Sequence, residues 1–425
     1  MSSEHVSNGT AETNGSNGSN GTNSPEWQRM QRLALMAGLF GIGVFAAVGA
    51  ILFSSGESGS QQFFSSYLTA WTFWLSLPIG SLGLIGIQFV TGASWGVLLR
   101  RPFEAATRTF PLMAVLFIPI AFSVFNDKAS PYPWSKAAES LTNSEAEIAH
   151  LQEKFDSWCN APGFVVRVVG YFAIWGVLIL CFNKWGRRVE QSNDPRARRL
   201  SDNLAGPTIV LFALINMFAA TDFVMSTDLG FSSTMFPLIY CINQMLISFL
   251  MAVAVFLTLS PQPPIKNVLR PKFQIDMGSF MLGLTMIWSY MNFSQYMLIW
   301  IGNIAEEIPY YLYRRGGEWQ YVAYVLCACH FAIPFVLLLF RDVKLHRKRL
   351  RAMAIFILIM CAVDVIWWIE PSYKREGPPY YLVMDVAALV GIGGIWGWVF
   401  LGQLKKYPIL PTNYIGQLPG AHHAH

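Results

Sequence analysis

Three ionisable side chains interrupt the long apolar runs of this sequence. Asp222 and Asp364 each lie about one helical turn before the end of a run, and His330 lies near the middle of another. Ionisable groups are costly in such runs and therefore mark candidate functional sites. Because a buried carboxyl or imidazole can exchange a proton near neutral pH, these residues predict a proton path. The alternatives are that Asp222 pairs with Arg167 and that His330 bonds a neighbouring carbonyl.

A weak internal repeat connects the two aspartates. Asp228 follows Asp222 by six residues, and Glu370 follows Asp364 by the same interval, so that both pairs are offset by 142 residues. The offset predicts two related halves, and interfaces between such halves are where membrane proteins tend to place their sites. Asp228 and Glu370 are therefore further candidates for the proton path.

Neutral polar residues are concentrated in one apolar run, which contains Ser289, Tyr290, Asn292, Ser294, Gln295 and Tyr296. Two other runs contribute Asn216, Asn243 and Gln244. Singly, such groups join helices through hydrogen bonds. A cluster on neighbouring helices would also hold water for proton conduction, so Tyr290, Asn292 and Gln295 join the candidates.

The sequence lacks the motifs of several chemistries. It contains no phosphate-binding GxxxxGK[ST] and no zinc-binding HExxH. Of seven histidines only His330 lies within an apolar run, whereas a membrane b-type haem needs two axial ligands on facing helices. We therefore expect no redox centre, no metal and no catalytic residue in this chain.

The elements that must position these groups are membrane-spanning helices. The chain has 425 residues, of which 53% are hydrophobic and only 13% are charged. Soluble domains carry about 25% charged residues, so the composition argues against a soluble enzyme. Ten apolar runs have the roughly 20 residues that are needed to cross a bilayer, and they cover approximately 33–53, 67–90, 108–125, 162–182, 206–226, 234–259, 277–302, 320–340, 350–369 and 380–402.

The predicted fold is an all-α polytopic membrane protein. Spans 2–5 and 6–9 form two four-helix bundles, and spans 1 and 10 flank them. Residues 1–32 form a disordered tail, 33–402 the ten-helix transmembrane domain, and 403–425 a C-terminal tail. The loops on one side hold 22 Lys and Arg residues against 8 on the other, which places both termini in the cytoplasm.

Two local patterns add to this topology. The long outer loop, 126–161, contains an amphipathic helix with Ile148, Leu151, Phe155 and Trp158 on one face. That helix is either a lid packed on its own bundle or a docking surface for a partner. Asp276 and Asp385 lie at the starts of spans, where we expect them to cap helix N-termini.

Two stretches resemble a known family of membrane subunits. Residues 66–105 read SYLTAWTFWLSLPIGSLGLIGIQFVTGASWGVLLRRPFEA, and residues 291–315 read MNFSQYMLIWIGNIAEEIPYYLYRR. Both resemble the NrfD-like integral-membrane subunits of alternative complex III, and within that family the ActF type. By this resemblance Gln295, Glu306 and Glu307 belong to a family element. The two glutamates lie at the outer end of span seven, where they mouth a proton exit or contact partner subunits or solvent.

The resemblance implies a role and a set of partners. That complex oxidises quinol and reduces a periplasmic cytochrome c or blue-copper protein. The implied partners are an ActC-like NrfD subunit, an iron–sulfur subunit, multihaem and monohaem cytochrome c subunits and small membrane subunits. They would hold the haem c, the iron–sulfur clusters and the menaquinol. This chain would be a non-catalytic subunit in a bacterial cytoplasmic membrane, and it would support quinol oxidation and offer a proton route.

Two other functions fit the sequence. A secondary transporter is compatible with ten spans and a repeat, although Pro78 and Pro334 interrupt spans that do not correspond in the two halves. A purely structural membrane scaffold is the third possibility.

Overall fold

The computed structural model describes residues 25–54, 56–126, 130–142, 144–192, 194–261, 265–305, 307–373 and 380–408. Over these residues the regular structure is helical and no strand is present, which confirms the all-α class. The α-helices are α1 (Pro25–Ser54), α2 (Glu57–Thr91), α3 (Ser94–Thr107), α4 (Phe110–Leu116), α5 (Ile118–Ser123), α6 (Glu145–Ser157), α7 (Ala161–Ser192), α8 (Pro195–Phe223), α9 (Phe236–Leu259), α10 (Ile265–Val268), α11 (Pro271–Gly302), α12 (Ile308–Arg315), α13 (Trp319–Val325), α14 (Ile333–Leu339), α15 (Arg341–Leu345), α16 (Arg347–Ile369) and α17 (Tyr380–Leu404). Short 3₁₀ turns lie at Pro133–Ser135, Ala138–Ser140, Met225–Thr227 and Glu370–Tyr373, and a π-helical turn at Leu326–Ala332 joins α13 to α14.

Helices coincide with all ten predicted spans. Within the described ranges, nine helical stretches are long and apolar enough to cross a membrane, so the chain is a multi-pass membrane protein. The remaining helix, α11, has 32 residues but is not among the nine. It is the helix with the polar centre. Ten crossings therefore stay a prediction.

The helices pack as two bundles with a flanking pair. In the first bundle α2 packs on α3 and α8, and α7 packs on α8; in the second, α9 packs on α11 and α16. Extensive contact between α2 and α9 joins the bundles. Helices α1 and α17 pack mainly on each other, and α17 also lies along α2.

Glycines allow α1 and α17 to approach closely. A Cβ atom on Gly394 would lie 2.2 Å from the backbone nitrogen of Gly38, and one on Gly41 would lie 2.5 Å from that of Gly391. Small residues at such crossings let the backbones of membrane helices touch. The pair of helices is therefore held by close backbone packing.

Substitution of Gly394 by leucine is expected to separate α17 from α1. The side chain would overlap backbone rather than a movable side chain, so the loss of stability should reach about 3 kcal/mol, the upper end for overpacking. Cysteines at Ala34 and Gly397, which lie in van der Waals contact, should crosslink in the parent and fail to do so in the G394L variant. The control is G43L, because nothing lies within 4 Å of a Cβ atom at that position; equal loss in both variants would contradict the prediction.

Several boundaries differ from those predicted. Helix α1 begins at Pro25, eight residues before the predicted span, because proline is favoured in the first turn of a helix. The segment after span two is not a loop: Gly92 adopts a left-handed conformation (φ 62°) that ends α2, and α3 follows. Span three is divided into α4 and α5.

Helices α7 and α8 extend well beyond their predicted spans, 162–182 and 206–226. They continue to Ser192 and from Pro195, respectively. They therefore form a helical hairpin on the side that the basic loops mark as cytoplasmic.

A buried ion network joins α3 to the extended part of α7. Glu104 accepts hydrogen bonds from Arg100 (2.8 Å) and Arg101 (2.7 Å), and Arg108 lies 3.4 Å from it. The Glu104 side chain is 7% exposed. Arg101 also pairs with Glu190 of α7 and donates to the carbonyl of Pro408, which attaches the chain after α17 to the network.

Candidate functional site

Asp222 has its full set of partners. Arg167 of α7 donates to both carboxylate oxygens, each at 2.9 Å, the Tyr171 hydroxyl donates at 2.7 Å, and the Trp158 indole donates at 2.9 Å. The Arg167 guanidinium also lies 4.2 Å from the centre of the Trp158 ring. The predicted pairing of Asp222 with Arg167 is therefore present, and it stabilises the charged form of this carboxyl.

Trp158 ties the outer loop to this ion pair. Within that loop, Leu151 of α6 is buried, and Ile148 and Phe155 are half-buried. Lys154 donates to the carbonyl of Leu229. The apolar side of α6 thus faces the protein itself, as in the first of the two interpretations, the lid packed on its own bundle.

Asp364 has a different environment, although it occupies the matching place in the second half. The Trp288 indole donates to its Oδ2 atom (2.8 Å), and the Trp368 indole also interacts with the carboxyl. Its Oδ1 atom has no hydrogen-bond partner, and no cation pairs with it among the described residues. Asp364 is only 1% exposed. It is a buried carboxyl without a countercharge.

His330 lies beside this carboxyl through a shared tryptophan. Its ring stacks on Trp288 with a centroid separation of 3.8 Å, and its Nε2 atom is 3.6 Å from the Cys361 sulfur. Its Nδ1 atom has no partner, so the predicted bond to a carbonyl is not formed. His330 belongs to the π-helical turn, a conformation that is frequent at functional sites.

Arg314 holds the outer end of the helix that carries Asp364. It is 1% exposed and donates to the carbonyls of Trp367 (3.2 Å) and Trp368 (2.8 Å), which belong to the last turn of α16. Its guanidinium lies 3.4 Å from the centre of the Tyr310 ring. Burial lowers the pKa of Arg314, and the nearby Tyr310 and Asp228 oppose that shift. Arg314 thus supplies a cation to helix carbonyls that would otherwise lack donors.

Asp228 lies near Arg314, at a narrow crevice between the two bundles. Tyr310 and Trp368 also line this crevice, which leaves no room for a water molecule in this conformation. The Asp228 carboxylate accepts a hydrogen bond from the backbone of Gly230 (3.1 Å). Asp228 and Asp364 are therefore close to opposite sides of the same tryptophan, Trp368.

Glu370 lies apart from Asp364, against α2. It is fully buried and accepts hydrogen bonds from Thr69 (3.0 Å) and Ser65 (3.4 Å). Asp385 is also buried and accepts from Ser66 of α2. The outer half of α2 therefore contacts two buried carboxyls with hydroxyl groups.

The capping role that we predicted for Asp276 and Asp385 is wrong. Their helices, α11 and α17, begin five residues earlier, at Pro271 and Tyr380. Both aspartates therefore lie in the second turn, where the backbone N–H groups already have partners within the helix.

The polar residues of α11 do not converge on one site. Tyr290 is 65% exposed on the outer face of the bundle, and Asn292 donates to the carbonyl of Trp288 in its own helix. Gln295 is buried and accepts a hydrogen bond from Ser233 in the segment before α9. Glu307 is half-buried at the start of α12, and Glu306 lies outside the described residues.

The other predicted polar residues meet at the junction of the bundles. Asn216 of α8 and both Asn243 and Gln244 of α9 are at most 1% exposed. Neither polar atom of each amide has a hydrogen-bond partner in the described part of the chain. Buried amides of this kind are places for ordered water. This group is separate from the polar residues of α11.

Trp288, Arg314 and the network around Glu104 did not emerge from the sequence as site residues. For Glu104 a signal was present, since Arg100, Arg101 and Arg108 lie three or four residues away, at the spacing of ion pairs on one helix face. For Trp288 and Arg314 the partners are distant in the sequence, and no local pattern marks them.

No side-chain group over the described ranges brings three His, Cys, Asp or Glu residues together as metal ligands. Comparison of the sequence with known proteins adds no assignment, because no protein-family model and no curated protein matches it.

Proposed function

We propose that this chain is a membrane subunit of a quinol-oxidising respiratory or photosynthetic complex of the alternative complex III type, similar to its ActF subunit. In this proposal the partner subunits hold the haems, the iron–sulfur clusters and the quinol. This chain anchors them in the membrane and conducts protons through its second bundle.

The observation that carries the proton-conducting role is the contrast between the two aspartates. Asp222 is bound to Arg167 by two hydrogen bonds and stays charged, whereas Asp364 is buried with no cation beside it. Burying a carboxylate without a countercharge is costly, so Asp364 can change its proton occupancy more readily than Asp222. His330, Trp288 and Cys361 surround it with groups that exchange or donate protons.

The stretch that resembles the family supports the same bundle as the site. Residues 291–315 comprise the end of α11, the turn at Asn303 and helix α12. Arg314, at the end of this stretch, binds the last carbonyls of the helix that carries Asp364. The part of the sequence that resembles the family is therefore the part that positions the candidate proton-binding group.

Purification from the native membrane tests the proposed role. In a mild detergent we expect the chain to co-elute with multihaem cytochrome and iron–sulfur subunits, in fractions that oxidise quinol and reduce cytochrome c. The control is an unrelated multi-pass protein from the same membranes, which should elute separately. Elution of the chain alone, in a form that binds a small solute, would overturn the proposal in favour of a transporter.

A further inference from the structure

The α7–α8 hairpin carries an unusual charge distribution at its tip. Between residues 184 and 203 the sequence holds six Lys and Arg residues against three carboxylates. Two of these carboxylates are already engaged within the protein: Glu190 pairs with Arg101, and Asp194 caps α8 by accepting a hydrogen bond from the backbone of Arg196. The hairpin therefore presents a surplus of positive charge to the surroundings.

The arginines of α8 are placed against the helix dipole. Arg196, Arg198 and Arg199 lie among the first five residues of this helix, whose first turn contains no acidic residue. The N-terminus of a helix carries partial positive charge, so each cation there is unfavourable by about 0.3–1 kcal/mol. Arg196 and Arg199 are exposed and form no ion pair with any described residue, including the exposed Asp202 one turn away. The fold itself gains nothing from these two side chains.

The tip lies beyond the reach of lipid headgroups. The last exposed apolar residue of α7 is Leu180, and the helix continues for twelve residues to Ser192, which is about 18 Å along its axis. On α8 the run of exposed apolar residues begins at Val210, fifteen residues after Pro195, or about 22 Å. The headgroup layer adds only about 5–8 Å to the hydrocarbon core.

Depth therefore divides the basic residues of the hairpin into two groups. Lys184, Arg187 and Arg188 lie four to eight residues beyond Leu180, at the level of the headgroups, and lipid phosphates account for them. Arg196 and Arg199 lie farther out, in the aqueous phase. Only a partner in water can neutralise them.

We propose that the tip of the α7–α8 hairpin is a docking surface for an acidic segment of a protein in the aqueous phase on that side of the membrane. Charge complementarity identifies the partner: carboxylates that pair with Arg196 and Arg199 also remove the unfavourable interaction of these arginines with the helix dipole. The inference does not depend on the proposed function, because it uses no feature of the Asp364 site.

Photo-crosslinking in native membranes tests the proposal. A photoreactive amino acid replaces Gln191, an exposed residue next to the tip. We expect a crosslink to an acidic peptide of one protein, weakened by salt and reduced at least fivefold in the charge-reversal variant R196E/R199E. The neutral variant R196Q/R199Q should show an intermediate loss. The matched control is K272E/K348E, which reverses two exposed cations at the same end of the molecule and should leave the crosslink unchanged.

Three results would overturn the proposal. They are crosslinks to lipid alone, crosslinks of equal yield in all variants, and loss of the crosslink together with inversion of the α7–α8 hairpin across the membrane. The last result, read by protease accessibility of the hairpin, would assign the arginines to membrane topology instead.

Discussion

Replacement of Glu104 by glutamine is expected to destabilise the protein by about 3–5 kcal/mol, the usual effect of removing one partner from a buried ion pair. The Glu104 carboxylate is the group that Arg100, Arg101 and Arg108 share, and the side chains of Arg100 and Arg101 are no more than 4% exposed. Without it these guanidinium groups repel one another in a region that water reaches poorly. Glutamine keeps the size of the side chain and removes only the charge.

Denaturant unfolding of the purified protein in mixed micelles measures this loss. The control is D342N, because Asp342 pairs with Arg349 at an exposed position where both side chains are more than half exposed. Exposed pairs contribute about 0–1 kcal/mol. If E104Q and D342N lower the free energy of unfolding equally, the network around Glu104 is not what holds the inner end of the first bundle.

Replacement of Asp364 by asparagine is expected to abolish most proton transfer and to leave the fold intact. The carboxyl accepts a hydrogen bond from Trp288, which the carbonyl oxygen of asparagine can also accept, and no cation loses a partner. Because asparagine cannot take up a proton, proton release by the intact assembly should fall about 10- to 100-fold, as when a proton-transferring group is removed. The free energy of unfolding should change by less than about 1 kcal/mol.

The matched substitution in the other half is D222N, with the opposite result. It removes the countercharge of Arg167, so the protein should lose about 2–4 kcal/mol of stability, somewhat less than for a fully buried pair because Arg167 is 19% exposed. Assemblies that still fold should release protons at the parent rate. Release is followed with a pH indicator in proteoliposomes, and an unchanged rate in D364N would place the proton path elsewhere.

The contrast between the aspartates bears on the internal repeat. Both carboxyls accept a hydrogen bond from a tryptophan indole, Trp158 in the first half and Trp288 in the second. Only the first half supplies an arginine. If the halves share an origin, they have since taken different roles: the first carboxyl binds the outer loop to its bundle, and the second remains available for proton exchange.

The positions of the helices could be predicted from the sequence alone. Each predicted span coincides with a helix, because about 20 consecutive apolar residues in a membrane leave the backbone only its own hydrogen bonds. The ends were less accurate: α1, α7 and α8 continue past their apolar runs. Polar residues support a helix outside the bilayer as well as apolar residues do inside it, so hydropathy marks the membrane boundary rather than the helix boundary.

The candidate residues could be predicted as a set but not as a site. Buried carboxyls are conspicuous in an apolar run, so Asp222 and Asp364 were both identified. The polar residues of α11 were grouped with those of α8 and α9, although Tyr290 faces outward and Asn292 bonds within its own helix. Whether a side chain faces a neighbour or the lipid depends on how each helix is rotated in the bundle, and a run that is apolar on all sides gives no indication of that rotation.

The amino-acid sequence by itself determined that this protein is a bundle of apolar helices with a few ionisable groups inside it. Length and hydropathy are properties of one segment, and the membrane acts on each segment separately. Only the tertiary structure decided which carboxyl has a countercharge. Arg167 lies 55 residues before Asp222, and Trp288 lies 76 residues before Asp364. Such partners meet only when particular helices become neighbours, so two aspartates that look equivalent in the sequence differ in the folded protein.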